Sequence, residues 1–305
     1  MSSPDLEIAS TGALLHVRAD LGAFRVTGAD RLTWLNGLVT QEVGKLAPGS
    51  GAYGLAVGKT GKVLAELWFV AGPDHALVIT ARDRLEGLLE HFEKHLIMED
   101  AELSAPLERA VLFVHGPEAA AVVAEARALG GEGASIDWTG HGAAVVVAAE
   151  ADAGPLVAAL LAGGPARARA TEAGWEALRI GWGLPRFGVD YDDQTLPQEA
   201  SLEKAAVSFT KGCYLGQETV FMVEKRGHPK KKLVRLTVEG SEALASGTEI
   251  ALPEVGAVGA VTSATPAEGG GWVALGSVKY KHAVADTAVV AGGRAARVIG
   301  VVHDR

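Results

Sequence analysis

The segment Lys211-Gly-Cys-Tyr-Leu-Gly-Gln-Glu218 contains the only cysteine of the 305-residue chain. That cysteine lies two residues after a lysine, between two glycines, and before an amide and a carboxylate. A thiolate is the reactive form of cysteine, and a nearby cation or helix N-terminus lowers its pKa. Gly212 and Gly216 would let the backbone bend tightly and approach a ligand closely. Cys213 is therefore a candidate reactive thiol, with an ordinary buried cysteine as the alternative.

Two stretches of mixed helix and strand precede this segment. In the first, apolar spacing predicts a helix over 31–39, strands over 63–70 and 76–80, and a helix over 83–98. In the second, it predicts a strand over 111–115, a helix from 117 to 129, a strand over 143–149, and a helix over 155–162. The repeated order predicts two related α+β units.

The sequence after residue 230 has a different pattern of apolar and turn residues. Short strand-like runs alternate with glycine and proline turns, at 233–238, 256–262, 272–278, 288–291 and 295–302. Such spacing predicts a small antiparallel barrel or sandwich. We therefore predict an N-terminal domain over 1–108, a second domain over 109–230 that carries the cysteine segment, and a C-terminal barrel over 231–305.

Composition excludes several classes of protein. Hydrophobic residues make up 48% of the chain and charged residues 21%, which is typical of a globular protein. No apolar run approaches a membrane span, and the N-terminus lacks the pattern of a secretory signal. A single cysteine excludes an internal disulfide and a multi-thiolate zinc site, so we expect a reducing, cytoplasmic setting. The net charge of −9 argues against a dedicated nucleic-acid binder.

Two glycine-rich stretches imitate nucleotide-binding motifs. Gly49-Ser-Gly-Ala-Tyr-Gly54 matches GxGxxG, but strand-like sequence follows where a dinucleotide site needs a helix. Gly54-Leu-Ala-Val-Gly-Lys-Thr60 has three residues between its glycines where a phosphate loop needs four. We interpret the first as a glycine-rich turn and 58–61 as a hairpin turn.

The cysteine segment resembles the signature K-G-C-Y-x-G-Q-E of the YgfZ family, folate-binding-type iron–sulfur assembly proteins related to the glycine cleavage T-protein (aminomethyltransferase). All seven specified positions match. Residues 24–41, 179–190 and 195–199 resemble other elements of that family, in the same order. The resemblance implies an α+β, three-domain ring of the aminomethyltransferase type. Two α+β domains would interleave, and a C-terminal antiparallel β-barrel would close a central channel.

The resemblance also implies a function, an accessory role in iron–sulfur cluster assembly or repair that supports enzymes such as radical tRNA-modifying enzymes. Cys213 would be the reacting thiol, or a transient cluster ligand, with Lys211 beside it. Tetrahydrofolate or a related folate is the implied cofactor, and no resident metal is expected. The residues expected to bind the folate are Gly212, Tyr214, Gly216, Gln217, Glu218, Arg179 and Arg226. Expected partners are iron–sulfur client or assembly proteins, with no membrane and no specific nucleic-acid binding.

Two departures from the relatives weaken the expectation of folate chemistry. The position that carries a catalytic aspartate in aminomethyltransferases falls on Ala65, which cannot relay a proton. Its neighbour Glu66 is expected on the other face of the strand. A glutamate thought to bind the pterin is replaced by Gly181, although Trp182 could stack on a ring or simply belong to the core. A tetrahydrofolate-dependent aminomethyl- or methyltransferase and a non-catalytic folate-binding scaffold remain the alternative functions.

A basic run follows the signature. Residues 225–235 contain six cations and no carboxylate. The run is either a solvated linker or an anion-binding patch for a folate glutamate tail, an acidic partner or RNA phosphates. It shows no interleaved aromatic residues, so specific RNA recognition is disfavoured. His228 within it is the histidine closest in sequence to Cys213, and so the candidate base.

Overall fold

The computed structural model of the protein describes residues 4–303. The helices in that range are α1 (Pro4–Thr11), α2 (Arg31–Asn36), α3 (Leu85–Glu93), α4 (Ala119–Ala128), α5 (Ala153–Ala162), α6 (Glu172–Trp182), α7 (Glu203–Ala206) and α8 (Gln217–Arg226). The strands are β1 (Ala13–Val17), β2 (Leu21–Thr27), β3 (Gly51–Val57), β4 (Val63–Ala71), β5 (His75–Ala81), β6 (Glu102–Leu103), β7 (Arg109–His115), β8 (Glu132–Ser135), β9 (Ala143–Ala149), β10 (Arg167–Arg169), β11 (Lys231–Val238), β12 (Glu249–Leu252), β13 (Gly256–Pro266), β14 (Trp272–Lys279), β15 (Ala288–Ala291) and β16 (Arg294–Val301). Short 3₁₀ turns lie at Arg82–Arg84, Glu150–Asp152 and Tyr280–His282.

Two five-stranded sheets form the first two-thirds of the molecule. Their strand orders are β3-β4-β5-β2-β6 and β10-β1-β7-β9-β8. Strand β1, from the start of the chain, pairs with β7 and β10 of the second sheet before the chain enters the first. The chain therefore interleaves the two units, which confirms the α+β class and the interleaving that the resemblance implied.

The C-terminal strands close into a barrel of order β11-β14-β13-β12-β15-β16. Alternate apolar side chains of these strands are buried in a core of their own. This confirms the barrel and excludes the sandwich. Strand β12, over Glu249–Leu252, is the barrel strand that the sequence did not predict, because Ile250 is its single β-branched residue, whereas the equally short β15 has two.

Helix α3 shows where the apolar pattern misleads. Its buried face is Leu85, Leu88, Leu89 and Phe92, as predicted, but the helix ends at Glu93 and not at Met98. The carboxylate of Glu99 accepts hydrogen bonds from the backbone N–H groups of Ile97 and Met98, each at 3.0 Å. This local turn competes with the helix. The predicted helix over 31–39 likewise ends early, at Asn36.

The two glycine-rich stretches are turns and a strand. Strands β3 and β4 pair antiparallel around 58–61, and Gly58 N–H donates to the carbonyl of Lys62 at 2.9 Å. Of residues 49–54, predicted as a glycine-rich turn, only the first two precede β3 and the other four belong to it, so no helix follows. Neither stretch has the strand–loop–helix geometry of a nucleotide site. Among residues 4–303, no helix is long and apolar enough to cross a membrane.

Candidate functional site

The signature segment lies between α7 and α8 and packs against the loop that follows α2. The Lys211 ammonium donates three hydrogen bonds, to the backbone carbonyls of Asn36 at 2.6 Å, Val39 at 2.7 Å and Gln41 at 2.9 Å. All three of its protons are therefore used. Burial lowers the pKa of Lys211 to about 8, against an opposing effect of the Glu42 carboxylate. The ammonium predicted to lie beside Cys213 thus ties two loops together.

The two glycines of the signature have different surroundings. Gly216 has φ of +79°, and a Cβ there would lie 2.3 Å from the carbonyl oxygen of Gly58 in the β3–β4 turn. Only glycine fits this position, and it fixes the start of α8 against that turn. Gly212 has nothing within 4 Å of a Cβ. The backbone beside Cys213 therefore faces open space.

Cys213 is exposed, and its thiol is free. The next residue, Tyr214, is buried with its ring 5.1 Å from the Lys211 nitrogen. Burial raises the pKa of Tyr214 to about 12. The Leu215 N–H donates to the carbonyl of Gly37 at 3.0 Å. The thiol is therefore presented to solvent on a loop whose flanking residues are anchored to the first domain.

A cleft of about 780 Å³ runs along one face of α8. It is lined by Gln217, Glu218, Phe221, Met222, Lys225 and Arg226. Three predicted binding residues, Gln217, Glu218 and Arg226, thus lie together in it. The cleft begins four residues after Cys213 and is open to solvent.

His228 lies at the opposite end of α8 from the cysteine. Ten helical residues separate the two, a length of about 15 Å. The imidazole stacks on Tyr280 of the barrel, with ring centroids 4.7 Å apart. Proximity in sequence thus does not bring His228 beside Cys213, and this histidine is not placed to act as its base.

A second group of chemical interest lies inside the molecule, where the two sheets, α6 and the end of the barrel meet. An interior cavity of about 30 Å³ is found there. Its walls are Arg18, Tyr53, Glu66, Trp68, Phe113, Trp138, Trp175, Arg179, Leu184, Pro185, Arg186 and His303. This volume holds one water molecule, whereas ligand pockets measure roughly 300–1,000 Å³.

Glu66 is the acidic residue in this cavity wall. Its carboxylate accepts hydrogen bonds from the Tyr53 hydroxyl at 2.6 Å and from the Phe187 N–H at 3.3 Å. Burial raises the pKa of Glu66, and the hydrogen bond from Tyr53 opposes that effect only in part. A buried carboxyl group with a raised pKa is the kind of group that serves as a general acid or base.

Ala65 points away from the cavity, which corrects the argument that its small side chain removes an acid from the site. It packs in the core of the first domain with residues such as Phe69. Because side chains alternate along β4, Glu66 lies on the interior face with Trp68. The alternation of β4 was the signal that could have placed Glu66 correctly.

Arg179 is fully buried and is held by other side chains. It donates to Glu176 at 2.7 Å, to Asp190 at 2.8 Å and to the barrel residue Ser263 at 2.9 Å. Burial lowers its pKa, but the hydrogen bond to Glu176 and the charge of Asp190 outweigh that effect and raise it overall. The guanidinium predicted to bind folate therefore joins α6 to the barrel.

The surroundings of Gly181 and Trp182 in α6 show whether a pterin ring could contact them. A Cβ on Gly181 would meet nothing within 4 Å, so this position leaves open space. The Trp182 ring stacks on His141, with centroids 4.1 Å apart, and that stacked face is not available to a ligand. Among residues 4–303, no three histidine, cysteine or acidic side chains are grouped so as to hold a metal ion.

The interleaved sheets and closed barrel define an aminomethyltransferase-like fold. The structure matches that of the glycine cleavage system aminomethyltransferase T from Bartonella henselae with a TM-score of 0.81. The match covers 97% of this chain and 87% of that one at 21% identity. Residues 11–130 also match the model of the GCVT N-terminal domain.

Comparison with known sequences finds relatives of one family within this fold class. The chain is 29% identical over 239 residues to the tRNA-modifying protein YgfZ of Escherichia coli O157:H7, covering 74% of this chain and 72% of the relative. The protein of the same name from Shigella boydii serotype 4 is 28% identical over the same shares. These matches confirm the resemblance to the YgfZ family.

Proposed function

We propose that the protein is an accessory factor for iron–sulfur cluster assembly or repair, and that Cys213 is its reacting group. The observation that carries this proposal is an exposed free thiol on a loop anchored on both sides, by Lys211 and by Gly216. Such a thiol can meet a partner's metal centre without unfolding of the protein. The setting would be the cytoplasm, where thiols stay reduced.

A single thiolate cannot hold a cluster that needs four ligands. The cluster is therefore cargo, and its remaining ligands would come from a partner protein, a second protomer or external thiols. Cys213 would replace one partner ligand during transfer or repair. Support of radical tRNA-modifying enzymes would be an indirect consequence of this role.

Folate is the small molecule that the family resemblance suggests. The interior cavity offers aromatic faces and the Glu66 carboxyl, which suit the donors and π-face of a pterin ring. Its volume of about 30 Å³ does not accommodate such a ring. Folate binding there would require separation of the walls.

The environment of Glu66 favours a second candidate function, folate-dependent aminomethyl or methyl transfer. The Glu66 carboxyl group, whose pKa is raised by burial, would supply the acid that Ala65 cannot. Turnover of a methylamine-loaded carrier protein with tetrahydrofolate would support this function. Its loss in Glu66→Gln, with retention in Cys213→Ala, would separate it from the thiol-based role.

Complementation tests the principal proposal. Cys213→Ala should fail to restore the activity of cluster-dependent radical tRNA-modifying enzymes in a bacterial strain that lacks its own relative of this protein. The matched control is Cys213→Ala/Ser241→Cys, which moves the thiol to an exposed barrel position. Full rescue by either variant would reject a role for the thiol at position 213.

A further inference from the structure

The fold brings a second, shorter cationic segment beside the basic run. Strands β11 and β14 pair with Lys231 opposite Lys279, and the Tyr280 N–H donates to the carbonyl of Lys230 at 3.0 Å. The turn Lys279-Tyr-Lys-His282 therefore lies next to the residues that follow α8. The sequence separates these segments by almost fifty residues, so their union is visible only in the fold.

The cations on this surface are exposed and lie outside ion pairs. Six of them are exposed, and none forms an ion pair within residues 4–303: Lys225, Arg226, Lys230, Lys231, Lys279 and Lys281. The pKa of Asp192 is lowered by a hydrogen bond from Thr195 and, to a smaller extent, by the charge of Lys231, so this lysine has an acidic neighbour. Lys232 differs, since its ammonium is bonded to Glu203. In a chain of net charge −9, this is a local field of the opposite sign.

Aromatic rings lie among these cations. Tyr280 is 41% exposed and stacks on His228 with nearly parallel rings, 4° apart. At the other end of the surface, the Lys225 ammonium lies 5.8 Å from the ring of Phe221. Of the two rings, Tyr280 is exposed and Phe221 is half-buried. The combination of a cationic track with an exposed ring is typical of surfaces that bind single-stranded nucleic acid. The interleaved aromatic residues that the basic run lacks in sequence are thus supplied by the fold.

An exposed aromatic ring distinguishes between two polyanions. Lysine and arginine both bind phosphate and carboxylate, but an acidic peptide has no base to stack on the Tyr280 ring, whereas a nucleic acid does. Stacking on Tyr280 requires a base that is not already stacked in a duplex. We propose that the surface formed by Lys225–Lys231 and Lys279–His282, the basic surface, binds single-stranded RNA.

The test is fluorescence anisotropy of the full-length protein with a labelled twelve-nucleotide oligouridylate, at 50 and 200 mM KCl. The wild type should bind with an affinity that falls steeply with salt. Lys279→Glu/Lys281→Glu should weaken binding at least tenfold and reduce the logarithmic salt slope by about 1.4, the contribution of two phosphate contacts. Tyr280→Ala should weaken binding about fivefold or more through lost stacking.

The control variant Lys45→Glu/Lys94→Glu makes the same charge change on exposed positions of the first domain. It should alter affinity less than twofold. Absence of wild-type binding at 50 mM KCl, or equal loss in the control variant, would overturn the proposal. Competition by polyglutamate as strong as that by oligouridylate, with no effect of Tyr280→Ala, would overturn it in favour of an acidic protein partner. Thermal unfolding of each variant verifies that it is folded.

Discussion

The signature loop and the interior cavity hold a thiol and a carboxyl group in different environments. Cys213 lies in solvent on a loop whose neighbours are bonded to the first domain. Glu66 is half-buried among aromatic rings, beside a cavity of about 30 Å³. The thiol is open to a macromolecule, whereas the cavity beside the carboxyl group holds one water molecule. Chemistry with a protein partner, as proposed, would therefore use the loop and not the cavity.

The largest expected loss of stability comes from a substitution in the signature loop. Gly216→Ala should lower the free energy of unfolding by about 3 kcal/mol, because an alanine at φ of +79° is strained and its Cβ would meet the Gly58 carbonyl at 2.3 Å. Urea unfolding followed by circular dichroism measures the loss.

Gly212→Ala is the matched control within the same loop. Its Cβ meets nothing within 4 Å, so we expect a change below about 0.5 kcal/mol. Equal losses in the two variants would show that the loop is not anchored through the β3–β4 turn.

Removal of the ammonium should have the next largest effect. Lys211→Met leaves the carbonyls of Asn36, Val39 and Gln41 without their donor, which should cost about 2–3 kcal/mol of unfolding free energy. Lys45→Met is the control, because that side chain is 87% exposed. If both variants unfold at the same urea concentration as the wild type, the three hydrogen bonds contribute nothing.

The same comparison explains what the sequence could predict. The signature residues and the strand pattern were sufficient to predict the aminomethyltransferase-like fold. Several segments resemble the family in the same order along the chain, and such a match implies the same topology. The partner of Lys211 was not predictable, since the carbonyls it binds lie about 170 residues earlier in the chain. Short-range spacing placed the lysine beside the thiol, whereas tertiary packing directs its nitrogen elsewhere.

The interior site was misjudged for a related reason. Matching a family motif by position assigned importance to Ala65, but the pleat of β4 decides which side chain faces the cavity. Glu66 and Trp68 share the interior face, and Ala65 belongs to the core of the first domain. The basic surface depends likewise on the pairing of β11 with β14, which the linear run does not reveal.

A smaller effect on stability is expected at the interior cavity, from the titration of Glu66. Burial raises the pKa of Glu66 in the folded protein, so the folded state holds a proton that the unfolded chain has already released. Stability should therefore fall as the pH rises from the unfolded pKa through the higher folded pKa. Glu66→Gln removes this titration, and the variant should gain stability relative to the wild type over that range.

Chemical denaturation at intervals from pH 4 to pH 8 measures this difference. Glu86→Gln, on the exposed face of α3, provides the control. A Glu66→Gln difference that is constant with pH would show that the carboxyl group does not titrate differently in the folded state. The hydrogen bond from Tyr53 can persist to the amide oxygen, which limits the structural effect of the substitution.

The smallest effect on stability is expected at Cys213, where the effect on reactivity is complete. Its side chain is exposed, so Cys213→Ala should change the free energy of unfolding by less than about 0.5 kcal/mol. In the native wild type, a disulfide reagent such as Ellman's should modify one thiol as fast as it does in urea, and in the variant none. A native thiol that reacts only after unfolding would contradict the open position of the loop and remove the basis for chemistry with a partner.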